Sequence, residues 1–153
     1  QVFLIAQFAA TRSQLGMIFS YIGIWSILTQ AVIVPKVSKK FRPPQVLTVT
    51  LLLSAGIFPV LLLVPNYPLL FAVLAFIPLP IGLSNPNLTA LVSGLGGDER
   101  QGEILGINQS VQAMTQFLPP LIGGFIVGQH YTVPIWVAAA SILIAWVLFM
   151  RSR

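Results

Sequence analysis

The sequence predicts an all-α fold, a polytopic transmembrane helical bundle, and three observations carry that prediction. Only 7% of the 153 residues are charged while 56% are hydrophobic, so a soluble sphere of this length would expose more apolar surface than water tolerates. The charges are also segregated, because no Asp, Glu, Lys or Arg occurs in 13–35, 43–97 or 104–150. A charge near the bilayer centre costs about 2.5 kcal/mol or more, and a crossing helix needs about 20 apolar residues. The first gap therefore holds one helix and the others two each. Turn signals divide the longer gaps at VPNYP, 64–68, with Tyr67 at headgroup depth, and at GQHYTVP, 128–134.

In order, residues 1–10, QVFLIAQFAA, cover only about 15 Å as a helix, half of a hydrocarbon core about 30 Å thick, and read as a truncated stump. They lack the charged start and cleavage motif of a signal peptide. Complete spans are expected at about 15–34, 45–64, 69–94, 104–127 and 134–150, all within one partial membrane domain covering 1–153.

Polar side chains inside these spans need a partner or water, and their spacing is informative. In the first span Tyr21, Trp25 and Thr29 form one stripe, with Ser26 and Gln30 beside it. In the third, Asn85, Thr89 and Ser93 repeat every four residues, whereas Asn87 points about 200° away from Asn85. In the fourth, Gln109, Gln112 and Gln116 share a face flanked by Asn108 and Thr115. These glutamines suit either interhelical packing or the lining of a water-filled, substrate-contacting cavity. Spans 45–64 and 134–150 are apolar nearly all round and read as lipid-facing supports. Pro78, Pro80 and Pro86 interrupt the third span, and Pro119 and Pro120 the fourth. Gly102, Gly106, Gly123 and Gly124 join those last two prolines as expected kink and packing positions.

Seven of the eight basic residues fall on one side of this topology: Lys36, Lys39, Lys40, Arg42, Arg100, Arg151 and Arg153, against Arg12 alone. The positive-inside rule puts them, and the C-terminus, in the cytoplasm. The net charge of +5 does not point to nucleic acid, since the basic residues sit at the edges of apolar runs rather than over one face. With no cysteine, disulfides, thiolate metal sites and cysteine nucleophiles are excluded.

All three acids, Asp98, Glu99 and Glu103, lie in GDERQGEILG, 97–106. This stretch reads as a cytoplasmic turn, with Asp98 or Glu99 near the start of the next helix, where an acid complements the helix dipole. It serves either as a solvated turn or as a gating latch, in which these carboxylates and Arg100 work with Lys36, Lys39 and Lys40. Acid–base catalysis fits poorly, because a short exposed turn offers no cleft. His130 is either an interfacial turn residue or a proton relay. No metal, cofactor, nucleotide or nucleophile motif is present, and the sequence is not read as an enzyme.

Three segments resemble the C-terminal six-helix half of a major facilitator superfamily transporter, in the style of its drug efflux branch. QAVIVPKVSKKFRPP, 30–44, is similar to the basic loop between the eighth and ninth helices; NPNLTALVSGLGGDERQGEILG, 85–106, to the tenth helix end and the turn into the eleventh; and GINQSVQAMTQFLPPLIGGFIVG, 106–128, to the eleventh helix. The pattern departs from the family at Ser38 and Arg42, where an Asp and a Gly are usual, and at Pro119-Pro120 in place of Gly-Pro. The resemblance implies a stump from the seventh helix followed by the eighth to twelfth. Of these, the seventh and tenth would line a cavity, the eighth and eleventh form an interface, and the ninth and twelfth face lipid.

The function so implied is secondary active transport of a small molecule by alternating access, as efflux or antiport, in the plasma (inner) membrane. Its partners would be the bilayer, a missing N-terminal six-helix half and a neutral or amphipathic substrate, with protons as one candidate coupling ion. No carboxylate lies in any span, so a titrating group would lie outside this chain. Tyr21, Trp25, Gln30, Asn85, Thr89, Gln109, Gln112 and Gln116 are the substrate-pathway candidates. The rival reading is a non-transporting structural or assembly membrane protein.

Overall fold

The computed structural model describes the backbone of residues 2–94, 97–127 and 132–152, and every regular element there is helical. Helix α1 covers Val2–Phe8 and α2 covers Arg12–Leu28, started by a capping box in which the Thr11 N–H donates to Gln14 Oε1 at 2.8 Å. A π-helical turn, Thr29–Ile33, joins α2 to α3, Val34–Lys40, and the three run on as one rod of 29 residues. The basic segment is therefore mostly helix rather than the expected loop. Lysine is a good helix former, and Lys39 and Lys40 in the last turn complement the negative end of the dipole. The actual turn is confined to Phe41 and Arg42, whose extended backbones lead into Pro43 and Pro44.

Helix α4, Pro43–Leu62, starts on those prolines, which need no amide partner at the first two helical positions. Asn66 caps α5, Tyr67–Phe76, by accepting from the Leu69 N–H at 3.2 Å. Helix α6, Pro78–Gly94, follows after a break at Ile77. The span expected at about 69–94 is one helical stretch, Tyr67–Gly94, interrupted at Ile77, because Pro78 and Pro80 cannot donate to the carbonyls four residues back. Helix α7, Gly97–Val127, is helical from Gly97 onward, so GDERQGEILG forms its first turns rather than a turn between helices. It also runs unbroken through Pro119 and Pro120. Helix α8 covers Val133–Arg151. His130 lies outside the described residues.

Helix α4 is the centre of the bundle. It buries Val46, Leu47, Thr50 and Ala55 and packs most extensively on α8 and α6, while α7 touches α6 and α8. The two helices expected to be featureless supports therefore pack on one another.

At one end of the bundle an apolar cluster gathers Phe3, Leu4, Ala10, Ile18, Val64, Leu70 and Leu74, with Ile135 packed against it. The Tyr67 hydroxyl donates to the Phe8 carbonyl at 3.0 Å there. The α1–α2 junction, the α4–α5 junction and the start of α8 thus share that end. Among the described residues four helical stretches are long and apolar enough to cross a membrane: Arg12–Lys40, Pro43–Leu62, Tyr67–Gly94 and Val133–Arg151. Outward apolar side chains such as Ile27, Leu52 and Ile144 suit hydrocarbon surroundings.

Candidate functional site in a polar cavity between two irregular helices

A cavity of about 230 Å³ opens between the α2–π segment and α6. Ser26 and Gln30, one turn apart, supply its polar side from the first helix, and Asn85 supplies it from α6. Ile22, Ile77 and Ile81 form the apolar walls, and Pro78, Gly82 and Pro86 shape the backbone. The Ser26 hydroxyl donates to the Ile22 carbonyl at 2.9 Å, which leaves its lone pairs available to a donor. Pro86 has no N–H for the Gly82 carbonyl four residues earlier, so a backbone acceptor borders the cavity without its helical partner.

Both walls owe their shape to local irregularity. In the π turn the Val34 N–H reaches the Thr29 carbonyl, five residues back instead of four. Directly behind the cavity Gly82 lets α6 close on that turn, since a Cβ there would stand 3.0 Å from Thr29 Cγ2. Thr29 is fully buried, and among the described residues its hydroxyl has no hydrogen-bond partner.

The lining holds two carboxamides and a hydroxyl with no titratable group, so it can donate to and accept from a neutral polar ligand while its isoleucines cover apolar surface. It offers nothing for acid–base or metal chemistry. Its volume is below the roughly 300 Å³ at which drug-sized sites begin, which suits one wall of a larger site.

Of the substrate-pathway candidates, Gln30 and Asn85 meet here. Tyr21 and Trp25 do not line the cavity: the Tyr21 ring packs edge-on against Trp25 at 6.2 Å and Phe71 at 5.1 Å. Thr89 is half-buried one turn beyond Asn85. On α7, Gln109 and Gln116 are exposed and Gln112 half-buried, and none borders this cavity. Asn87 is buried and donates to the Leu83 carbonyl at 2.7 Å, on the side away from the exposed Asn85, as the helical offset requires.

At the basic end, Lys36, Lys39, Lys40, Arg100 and Glu103 are all exposed. Across the α6–α7 corner Gln101 Nε2 donates to the Ser93 hydroxyl. The side chains of Asp98, Glu99, Pro119 and the Gly123–Gly124 neighbourhood lie outside the described residues. At Gly102 and Gly106 a Cβ would meet nothing within 4 Å among the described residues. Helix α7 presents that face outward, and the close approach is at Gly82 instead.

Sequence reasoning also missed the Ser84 hydroxyl donating to Thr50 Oγ1 at 2.8 Å, a polar clasp between α4 and α6. The signal was two small hydroxyl residues within otherwise apolar runs, which periodicity alone could not pair.

Long apolar helices, charges confined to their ends and an uncharged polar cavity between two of them define a polytopic α-helical integral membrane protein. The chain belongs to the Major Facilitator Superfamily, whose family model matches residues 1–153. It is similar to the Quinolone resistance protein NorA of Staphylococcus aureus, at 26% identity over 131 residues in strain MRSA252 and 27% in strain COL. In both, the match covers 86% of this chain and 34% of the relative, so the chain spans about a third of the length of these curated relatives.

Proposed function

We propose that this chain is the C-terminal six-helix half of a secondary transporter that exports a small molecule by alternating access. The observation that carries the reading is the cavity between α2 and α6, a site for hydrogen-bonding an uncharged or amphipathic molecule. In this reading α1 is the end of the seventh helix, and the eighth is the rod Arg12–Lys40. The ninth is α4, the tenth α5 with α6, the eleventh α7 and the twelfth α8. The relatives' names supply a first substrate class, the quinolones.

The other half would supply the opposite wall of the cavity and, for proton-driven export, the titrating carboxylate. Gln109, Gln112 and Gln116 on the outward face of α7 would meet that half across the central space. In this reading the protein sits in the plasma membrane, and the bias of basic residues supports a C-terminus in the cytoplasm. In that arrangement Asp98, Glu99, Arg100 and Glu103 would work with Lys36, Lys39 and Lys40 as a cytoplasmic gate.

Export of a fluorescent quinolone from cells carrying the full-length protein tests the proposal. Gln30→Leu and Asn85→Leu are each expected to lower export about tenfold, as befits one lost hydrogen bond of about 1.4 kcal/mol, with normal membrane insertion. Unchanged export in the double variant would remove the cavity from the pathway. Gln112→Leu with Gln116→Leu separates lining from packing, since lost export with normal folding means lining and the reverse means packing. For orientation, single cysteines at Ser38 and Pro65 suffice, because the background has none. An impermeant thiol reagent applied to intact cells should label only position 65.

A further inference from the structure

We propose that a second groove, between α3, α4 and α6 at the basic end of the bundle, binds one anionic phospholipid, with an acyl chain along the groove and the headgroup phosphate at Lys40 and Lys36. This rests on the chain being embedded in a membrane and not on the transport reading.

The groove has a volume of about 450 Å³ and is walled by Val37, Phe41, Val46, Val49, Leu53 and Leu83. Its two polar residues are already engaged. Thr50 accepts from Ser84, and Gln45 Oε1 accepts from the Arg42 N–H at 3.2 Å. What remains is a hydrocarbon surface, open to the side, with Phe41 48%, Val49 56% and Leu53 51% exposed. From Gln45 to Leu53 the groove follows α4 for about 12 Å, close to the depth of one leaflet, about 15 Å.

The rim supplies the opposite chemistry. The Lys40 ammonium lies 5.6 Å from the centroid of the Phe41 ring, a wall of the groove, so a cation stands at its lip. Lys36 is one turn back on the same face of α3, and Arg42 sits just past Phe41 at the start of α4. The segment 13–97 that builds the groove contains no carboxylate, so no acid lies along its walls. Pro43 and Pro44 leave the first turn of α4 short of N–H donors, so the cations, rather than a helix N-terminus, hold the anion. An apolar trough one leaflet deep with clustered cations at its headgroup end matches an anionic lipid. A soluble anion would have no use for the trough, and a zwitterionic lipid none for the excess charge.

The test uses the purified full-length protein with phosphatidylglycerol or phosphatidylcholine of identical acyl chains, and native mass spectrometry to count retained lipid. Phosphatidylglycerol is expected to be retained about tenfold or more over phosphatidylcholine, on a scale of about fivefold per cation near the surface. Lys36→Gln with Lys40→Gln should bring it down to the phosphatidylcholine level. Lys39→Gln should leave it unchanged, because position 39 is about 200° around α3 from Val37. Val49→Trp, which fills the trough, should reduce retention of both lipids. All three lysines are exposed, so their substitution leaves the fold intact, as circular dichroism would verify. Equal retention of the two lipids overturns the proposal, as does an unaffected lysine double variant. Competition by glycerol phosphate at the same concentration as the lipid also overturns it, since that would mark a site for free anions.

Discussion

The β-carbon that Gly82 lacks would stand 3.0 Å from Thr29 Cγ2, so the cavity's two walls meet at a point where neither side chain has room to grow. Thr29 is fully buried and cannot swing aside. Gly82→Ala is therefore expected to push α6 off the π turn and destabilise the bundle by about 1 to 3 kcal/mol, the usual cost of overpacking. Thr29→Ser in the same chain removes the offending methyl and should restore most of the loss. Thermal unfolding of both variants in detergent checks this, and a Gly82→Ala protein as stable as the parent would contradict the close approach.

The same threonine yields an opposite prediction. Its hydroxyl is buried without a hydrogen-bond partner among the described residues, which costs about 1 to 3 kcal/mol of desolvation. Thr29→Val keeps the branched shape and removes that polar group. Stability should rise, measured as a higher unfolding midpoint. A fall in stability would show that the hydroxyl is satisfied after all.

Between α4 and α6, Ser84 and Thr50 form a contact whose strength a double-mutant cycle can isolate. Thr50→Val and Ser84→Ala should each destabilise the protein, with a coupling of about 0.6 to 1.7 kcal/mol, the range for hydrogen bonds between membrane helices. Thr50 also donates to the Leu47 carbonyl at 3.3 Å, within its own helix, so its single substitution should cost the more of the two. Additive effects would mean that the two hydroxyls do not interact in the membrane.

These residues show what a single sequence carries and what it withholds. The helices were legible because an absence of charge over 13–35, 43–97 and 104–150 is a direct statement about solvent. Gln30 and Asn85 were legible as polar side chains at helical spacing in apolar runs. Their meeting was not, because it depends on a π turn that adds a residue between Thr29 and Ile33 and on Gly82 lying opposite. No propensity records either feature. The helical state of Lys36 to Lys40 was masked for a different reason: charge and flanking proline read as loop, whereas lysine propensity and dipole complementarity carry α3 to Lys40. The break at Ile77 was signalled by Pro78 and Pro80, but an in-line pair of helices and one kinked helix have the same sequence signature.

At the apolar end of the bundle the α1–α2 connection makes two commitments that can be tested together. Ala9 has φ 47°, in the left-handed region that costs a non-glycine residue about 1 to 2 kcal/mol. The adjacent Phe8 carbonyl accepts from the Tyr67 hydroxyl at 3.0 Å, and the two rings lie 5.3 Å apart. Tyr67→Phe keeps the ring contact and leaves the carbonyl without its donor, and should cost about 1 kcal/mol. Ala9→Gly relieves the backbone strain, and after the greater entropy of an unfolded glycine is subtracted it should gain up to about 1 kcal/mol. If the tyrosine bond is what holds Ala9 in its strained conformation, the benefit of Ala9→Gly should shrink in the Tyr67→Phe background. Unfolding midpoints of the two single variants and the double variant decide the matter, and full additivity would show that strain and hydrogen bond are independent.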